Sequence, residues 1–540
     1  MFSVLFALRR PVSLSTSTFR FATLGLVAFA ACARDARLPS EPAVARAPQL
    51  SAMAVGGASS GAVVATGRHI VAFSGTVPAN FEAQVNALGG KVLWVSPGSG
   101  LAAVGGLTGA ASTTLSGMRG IQEVDADAAI PLDIPQMATK DAALVGGGVA
   151  SNTAPTAATF YRRQWNMKAV QADVVWAHGF FGSSSVSVFM LDTGIDYLHP
   201  DVAGLVDLTR SLDLTGTFIA RAILGPNKQD TVFVPFTEAD SVRKYFPGRL
   251  LISDLFFHGT HTAATVSSNA VSAAGITSMT TLVAVKVCGY INECPFSSIL
   301  NGVIYATLNG ADVVNMSLGG AFTKAGNGRF VGLLNKVFNY ARSKGVTVVV
   351  SAGNSAADLD HDGNTYWTFC NTPSVICVAA TGPTSDATGN LQPATNSDRR
   401  TGPWTNIDAP AYYTNFGRSV ISVGAPGGNS SFGPPLPLPA GRDVFVWAAC
   451  SATRLTVPVP GDGSSVPVAC ALPIAGAQGT SMSAPHVSGT AALLVSILGR
   501  NPSQIKARIQ QTADKVAGNG TTPFYGKGRL NVARAVGAIP

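Results

Sequence analysis

Charge is scarce in this chain. Only 12% of its 540 residues are Asp, Glu, Lys or Arg, about half the usual share, which argues against a coiled coil, a helical array or a disordered chain. Aromatics are few (8%), no Lys/Arg run exceeds a pair and no basic stripe carries interleaved aromatics, so nucleic acid is not an expected partner. The metal-binding spacings C-x2-C and H-E-x-x-H are absent, which argues against zinc. Past residue 32 no apolar run approaches the ~18 residues of a membrane span. What is plentiful is apolar surface and turn chemistry: 46% hydrophobic residues, 58 Gly and 32 Pro. That suits one large domain with a smaller companion.

The formal charge of +8 overstates any basic character. Half of it lies in residues 1–50, where six Arg face only Asp35 and Glu41. Arg9, Arg10 and Arg20 precede "FATLGLVAFAAC", an apolar run of about a dozen residues that fits a signal h-region, so residues 1–32 are read as an export signal. The ending "FAAC" is similar to a bacterial lipobox with an atypical Phe29. Either Cys32 is lipidated, the sole membrane anchor expected, or it is discarded with the signal. The remaining cysteines fall into neighbouring pairs, Cys288 and Cys294, Cys370 and Cys377, Cys450 and Cys470. Of 15 connectivities, the sequential one is simplest, and disulfides agree with an exported protein.

Residues 33–66 read as an Ala/Pro/Ser/Gly linker. Residues 67–132 read as a small α+β unit: strand "RHIVAFSGTV", helix "ANFEAQVNALGG", strands "KVLWVS" and "LAAVGG", and a second helix around "ASTTLSGMRG" and "IQEVDAD". A second linker spans 133–159. From 160 to 540 near-continuous apolar runs ("SVSVFMLDTG", "TLVAVKVCG", "ADVVNMSLGG", "VTVVVSAGN", "SVICVAATG") alternate with helical segments such as "FSSILNGVIYATLNG" and "RFVGLLNKVFNYARSKG". Such runs are strands buried on both faces, so the fold class is α/β with a doubly wound, mostly parallel sheet. Chemistry is expected just past the strands' C-terminal ends.

Three positions meet that expectation. Asp192 ends the "VSVFML" strand, His258 opens "HGTH", and Ser481 stands in "AQGTSMSAPHVSGTAALL", where a Gly-rich turn launches an apolar helix. A serine there sits at the positive end of the helix dipole, but its hydroxyl needs a base, and the base a carboxylate to orient it. Singly, these residues read as a strand-end turn, one of an i, i+3 histidine pair with His261, and a helix cap. Asp, His, Ser in that chain order is the order of subtilisin.

"DTG", "HGTH" and "GTSMSAPHVSG", with "SLGG" (317–320), "SAGN" (351–354), "VGAPG" and "GKGRLNVARAV", resemble the motifs of the subtilisin-like serine proteases over about residues 160–540. The resemblance implies a secreted serine endopeptidase. Asp192 would be the orienter, His258 the general base and acid, Ser481 the nucleophile and Asn354 the oxyanion donor. No cofactor is expected for the chemistry. Substrates would be proteins or peptides, bound as an added strand against Ser317, Leu318, Gly319, Gly320, Ser351, Ala352 and Gly353. These walls carry no charge, which favours apolar P1 residues and broad specificity. The small unit looks like the family's inhibitory propeptide, cut within the 133–159 linker, or else an unrelated accessory domain. The mature enzyme is expected to be a monomer.

After "SAGN" the longer segment "ADLDHDGNTYWTFC" holds Asp358, Asp360 and Asp362 in a D-x-D-x-D-G pattern, the front half of a calcium loop. Phe369 stands where its bidentate Glu belongs, so the reading is either a structural calcium site or a solvated acidic turn. Asp201 matches a carboxylate that often serves a second calcium site, yet the loop after "HGTHTAATVSS" lacks the usual ligands. The inserts 205–255 and 428–476 carry no assignment. Two other classes compete: a Ser-Glu-Asp carboxyl peptidase, which would lack His258, and a catalytically silent lipid-anchored binding protein, which would show a broken triad.

Overall fold

The computed structural model describes residues 65–131, 136–138 and 151–540, apart from 216–220, 225–229, 234–237, 291–292, 373, 384, 387–403, 406, 430–444, 456–469 and 471–472. The export segment 1–32, with Cys32, and nearly all of the 33–66 linker lie outside the described residues.

The apolar runs form an eight-stranded sheet. Its order is Ala409–Pro410, Ile376–Gly382, Thr347–Ser351, Val313–Met316, Ser187–Asp192, Thr281–Lys286, Leu212–Asp213, with Val423–Pro426 also paired to Ile376–Gly382. Every pairing except that of Ala409–Pro410 is parallel. Strands of this kind need cover on both faces, and side-chain alternation supplies it. Phe189 and Leu191 enter one core with Phe296, Val303, Leu334 and Val337 of the helices Phe296–Leu308 and Gly328–Ser343. Val188 and Met190 enter another with Ala263, Val266, Val487 and Ala491 of the helices His258–Val266 and Thr480–Leu498. Thr480–Leu498 has the length and apolarity of a membrane span. Here it is the central helix, buried from Thr480 to Val495.

Residues 65–131 form strand, helix, strand, strand, helix, strand: Ala65–Phe73, Phe81–Ala87, Lys91–Ser96, Leu101–Gly105, Gly109–Ser116 and Ile121–Pro131. The last is a strand, where the sequence reading extended a helix. Gly117 and Gly120 (φ +89°) stop the helix, and Glu123, Asp125 and Asp127 alternate with Val124, Ala126 and Ala128 in the two-residue period of a strand. Val71, Phe73 and Val104 pack on Phe81, Val85 and Leu115 in a core of their own. The opposite face, with Ile70, Leu101 and Ile130, joins the core under Phe296–Leu308. Glu293–Pro295 completes this antiparallel sheet against Ile121–Pro131.

The 133–159 linker is less loose than its composition implied. Gln136–Ala138 pairs antiparallel with Ile474–Gln478. The Ser151 N–H donates to Asn269 and the Thr159 N–H to Val271, and Ala158 is buried in the second core.

Candidate active site

Asp192 is the last residue of its strand and His258 the first of its helix. Two glycines let them meet. A Cβ on Gly194 (φ +105°) would collide with the Ile252 carbonyl, and one on Gly259 with the Gly194 carbonyl. His258 Nδ1 lies 2.7 Å from Asp192 Oδ1, and both side chains are buried. The Thr193 N–H donates to the same oxygen at 2.8 Å, and Thr262 Oγ1 donates to Asp192 Oδ2 at 3.1 Å. An imidazole that donates through Nδ1 leaves Nε2 as an acceptor. Among the described residues that buried Nε2 has no hydrogen-bond partner.

Ser481 lies in the first turn of Thr480–Leu498, which opens from Gly479. Its hydroxyl donates to the Ser317 carbonyl at 3.0 Å, and Ser317 Oγ donates to the Ser481 carbonyl at 2.8 Å. A buried chain supports the pair: Asn315 Nδ2 donates to Ser317 Oγ (3.0 Å), and Ser488 Oγ to Asn315 Oδ1 (2.8 Å).

The other expected residues flank this point. Ser351 ends the strand Thr347–Ser351, and Gly353 turns the chain with φ +98°. The Asn354 carboxamide oxygen accepts from Thr480 N (2.8 Å) and Thr480 Oγ1 (2.9 Å), so its NH2 group is turned away from Thr480. Leu318 is buried. Gly320 exchanges backbone and side-chain hydrogen bonds with Thr368, and a Cβ on Gly319 would stand 2.6 Å from the Thr368 carbonyl oxygen.

The sequence reading missed Asp254 and Thr193. Asp254, fully buried, accepts five hydrogen bonds around the start of the His258 helix. Its signal was an acidic residue four positions before a helix start. It also missed the buried pair Lys286 and Glu238 (2.8 Å), through which the 205–255 insert reaches the neighbour of Asp192 in the sheet. His261, the i+3 partner of His258, faces the Val446 and Ala475 carbonyls through Nε2 (3.1 and 3.2 Å). Burial, with a smaller contribution from His258, lowers its pKa to about 3, so it is a neutral structural histidine.

The acidic loop does not fit calcium. Asp358 is occupied by the Asp360 N–H and His361, Asp360 by Arg418 N and by Ser419, and Asp362 by Lys324 Nζ (2.6 Å) and Asn371. Three carboxylates with three separate sets of donors do not converge on one ion. Among the described residues no group of three or more His, Cys, Asp or Glu gathers as metal ligands. Asp201 likewise accepts the N–H groups of Val271, Ser272 and Ala273, which ties down the short loop. The six cysteines form three disulfides, Cys288–Cys294, Cys370–Cys377 and Cys450–Cys470, in the sequential pairing expected.

A doubly wound sheet that carries an Asp–His pair and a serine-bearing helix start past the C-terminal ends of its strands fits the class of the serine hydrolases. The model of the subtilase family matches residues 183–528. That is more than half of the chain, and the protein belongs to this family. Thermitase of Thermoactinomyces vulgaris is 28% identical over 383 residues, which cover 70% of this chain and 97% of thermitase. Subtilisin E of Bacillus subtilis (strain 168) is 26% identical over 377 residues, covering 69% of this chain and 70% of the subtilisin. Among solved structures, the epidermin leader peptide processing serine protease of Staphylococcus aureus superposes with a TM-score of 0.57 at 18% identity, covering 87% of this chain and 97% of its own. Fervidolysin of Fervidobacterium pennivorans gives 0.55 at 20% identity, covering 92% and 64%. The two structures share the fold. The protein is a serine endopeptidase that acts on protein substrates and needs no cofactor for its chemistry.

Proposed function

We propose that Asp192, His258 and Ser481 form the catalytic triad of an exported, self-processing endopeptidase. The observation that carries this reading is the 2.7 Å Asp192–His258 bond, which leaves Nε2 as a buried acceptor without a partner among the described residues. The Ser481 hydroxyl turns from the Ser317 carbonyl to Nε2. Its oxygen then attacks the scissile carbonyl carbon as its proton passes to His258. The imidazolium, stabilised by Asp192, returns that proton to the leaving amine. Water then repeats the sequence on the acyl-enzyme: His258 takes its proton, and Ser481 is restored.

The oxyanion is held by the Ser481 N–H and the Asn354 NH2 group. The Thr480 donors support this role by fixing the carboxamide oxygen on the other side. A preference for apolar P1 residues follows from the uncharged walls Ser317–Gly320 and Ser351–Gly353.

Residues 67–132 act as the inhibitory propeptide. In support, Ile121–Pro131 adds to Glu293–Pro295 as a strand, and Gln136 lies opposite Gln478, three residues before Ser481. The maturation cut falls in the 133–159 linker that joins these pairings to the catalytic domain. Export through residues 1–32, with or without lipidation at Cys32, agrees with three disulfides, which persist outside the reducing cytosol. Ser481→Ala, purified without other proteases, is expected to hydrolyse no peptide and to remain full-length. Processing of that variant at the wild-type rate would remove Ser481 from the role.

A further inference from the structure

Asp254 sits where no described step uses it, yet it is fully buried and its carboxylate faces only donors. Oδ1 accepts Thr193 Oγ1 (2.9 Å), Phe256 N (2.9 Å) and Phe257 N (3.0 Å). Oδ2 accepts Thr260 N (2.8 Å) and Thr260 Oγ1 (2.7 Å). Two of these donors flank the strained point of the chain. Phe257, directly before His258, has φ +148°, a conformation that non-glycine residues keep only when their surroundings over-determine it.

Thr193 is the bridge to the reacting pair. Its N–H donates to Asp192 Oδ1 (2.8 Å), its hydroxyl donates to Asp254, and the same hydroxyl accepts from Gly259 N (2.9 Å). One residue thus touches the orienting carboxylate through its backbone, and the buried carboxylate and the first turn of the His258 helix through its hydroxyl. The Asp254 backbone is gripped from the other side by the insert that follows Cys450. Ser451 Oγ (2.6 Å) and Thr453 Oγ1 (2.9 Å) both donate to the Asp254 carbonyl, and Leu455 N to that of Leu255 (2.7 Å). The Arg454 guanidinium lies 5.8 Å from the Phe257 ring centroid.

We propose that Asp254 is a positioning residue for the reaction, acting through Thr193 and the first helical turn to hold His258 in register with Asp192. The proposal rests on the reading of His258 as the base. Burial raises the Asp254 pKa, Thr260 and Phe256 oppose it with hydrogen bonds, and Asp192 adds to the rise. The Arg454 guanidinium also interacts with it electrostatically.

The test uses the matured enzyme, produced from the full chain, with active sites titrated. Thr193→Val keeps the shape and removes the bridge; kcat is expected to fall about 30-fold or more with KM within about 2-fold, the scale of a small misplacement of a catalytic group. Thr193→Ser, which keeps the hydroxyl, is expected to restore kcat to within about 3-fold. Asp254→Asn sets an NH2 against N–H donors and also removes a negative charge near the imidazole. Its kcat is expected to fall, and the acid limb of kcat/KM to move to lower pH, because the imidazolium loses a stabilising charge. Thr193→Val, which changes no charge, is expected to leave that limb in place.

Wild-type kcat and an unmoved limb in both variants, or an equal loss in Thr193→Ser and Thr193→Val, would overturn the proposal. Should Asp254→Asn fail to fold, the Thr193 pair decides alone. His258→Ala separates the two readings. If it retains activity the base assignment fails; if it is inactive while Thr193→Val is normal, only the positioning role fails.

Discussion

Ser481 and Ser317 are bonded to each other twice, hydroxyl to carbonyl in each direction, at 3.0 and 2.8 Å. The exchange ties the start of the central helix to the end of the Val313–Met316 strand. It also directs the Ser481 hydroxyl proton to a carbonyl rather than to the His258 imidazole. Catalytic hydrogen bonds that are long or misdirected in a free enzyme commonly tighten in the Michaelis complex.

Ser317→Ala deletes the hydroxyl that serves the Ser481 carbonyl and receives Asn315 Nδ2. Loss of a buried bond worth about 1–1.5 kcal/mol corresponds to about a 10-fold fall in kcat/KM. Steady-state kinetics on titrated enzyme check it, and an unchanged kcat/KM would show that the pair does not position the serine.

Asp125 carries a pH dependence. Burial first and Glu123 second raise its pKa to about 7, with Arg329 in weak opposition. A carboxyl whose folded pKa is raised favours the folded state below its ordinary pKa and loses that contribution as pH rises towards the raised value. The unprocessed Ser481→Ala protein is therefore expected to lose stability at this site between about pH 4 and 7. Asp125→Asn should raise Tm at pH 8 and leave it nearly unchanged at pH 4. Equal shifts at both values in thermal melts would contradict the assignment.

Specificity follows from where the acidic loop directs its charge. Asp358, Asp360 and Asp362 are each engaged by protein donors, and on the proposed reading they are not expected to supply a counter-ion for a basic P1 side chain. Matched peptides differing only at P1 are expected to give higher kcat/KM for Leu, Phe or Tyr than for Arg. Discrimination among the apolar residues should be small, about 1–3 kcal/mol per methylene at most. A tenfold preference for Arg would reverse this conclusion.

Cys450–Cys470 closes a loop with a sequence separation of 20, next to the segment that grips Asp254. By loop entropy its removal costs about 3 kcal/mol. The double Ser variant should lower Tm and also kcat, whereas a purely structural clip would lower Tm alone.

The parallel sheet and the places that Asp192, His258, Ser481 and Asn354 take in it were legible because their signals are local. Asp192 ends an apolar strand, His258 and Ser481 begin helices, and Asn354 follows a strand. The Asp254–Thr193 bridge was not, since it exists only once Gly194 and Gly259 let two distant turns touch. D-x-D-x-D-G left two readings open for a related reason. Spacing records how often carboxylates recur, not which way they point, and the donors that turn them apart come from Lys324, Arg418 and Ser419. In Ile121–Pro131 the alternating acidic residues outweighed a helical reading that ran past two glycines.

The strand Ile121–Pro131 and the strand Gln136–Ala138 are pinned to the catalytic domain on either side of a four-residue stretch of the same chain. A maturation cut beside them would have substrate and enzyme already covalently joined. Its rate would be first order, unaffected by dilution, and the two new ends would leave from separate sheets, so cleavage and departure of the severed piece would be separate kinetic events.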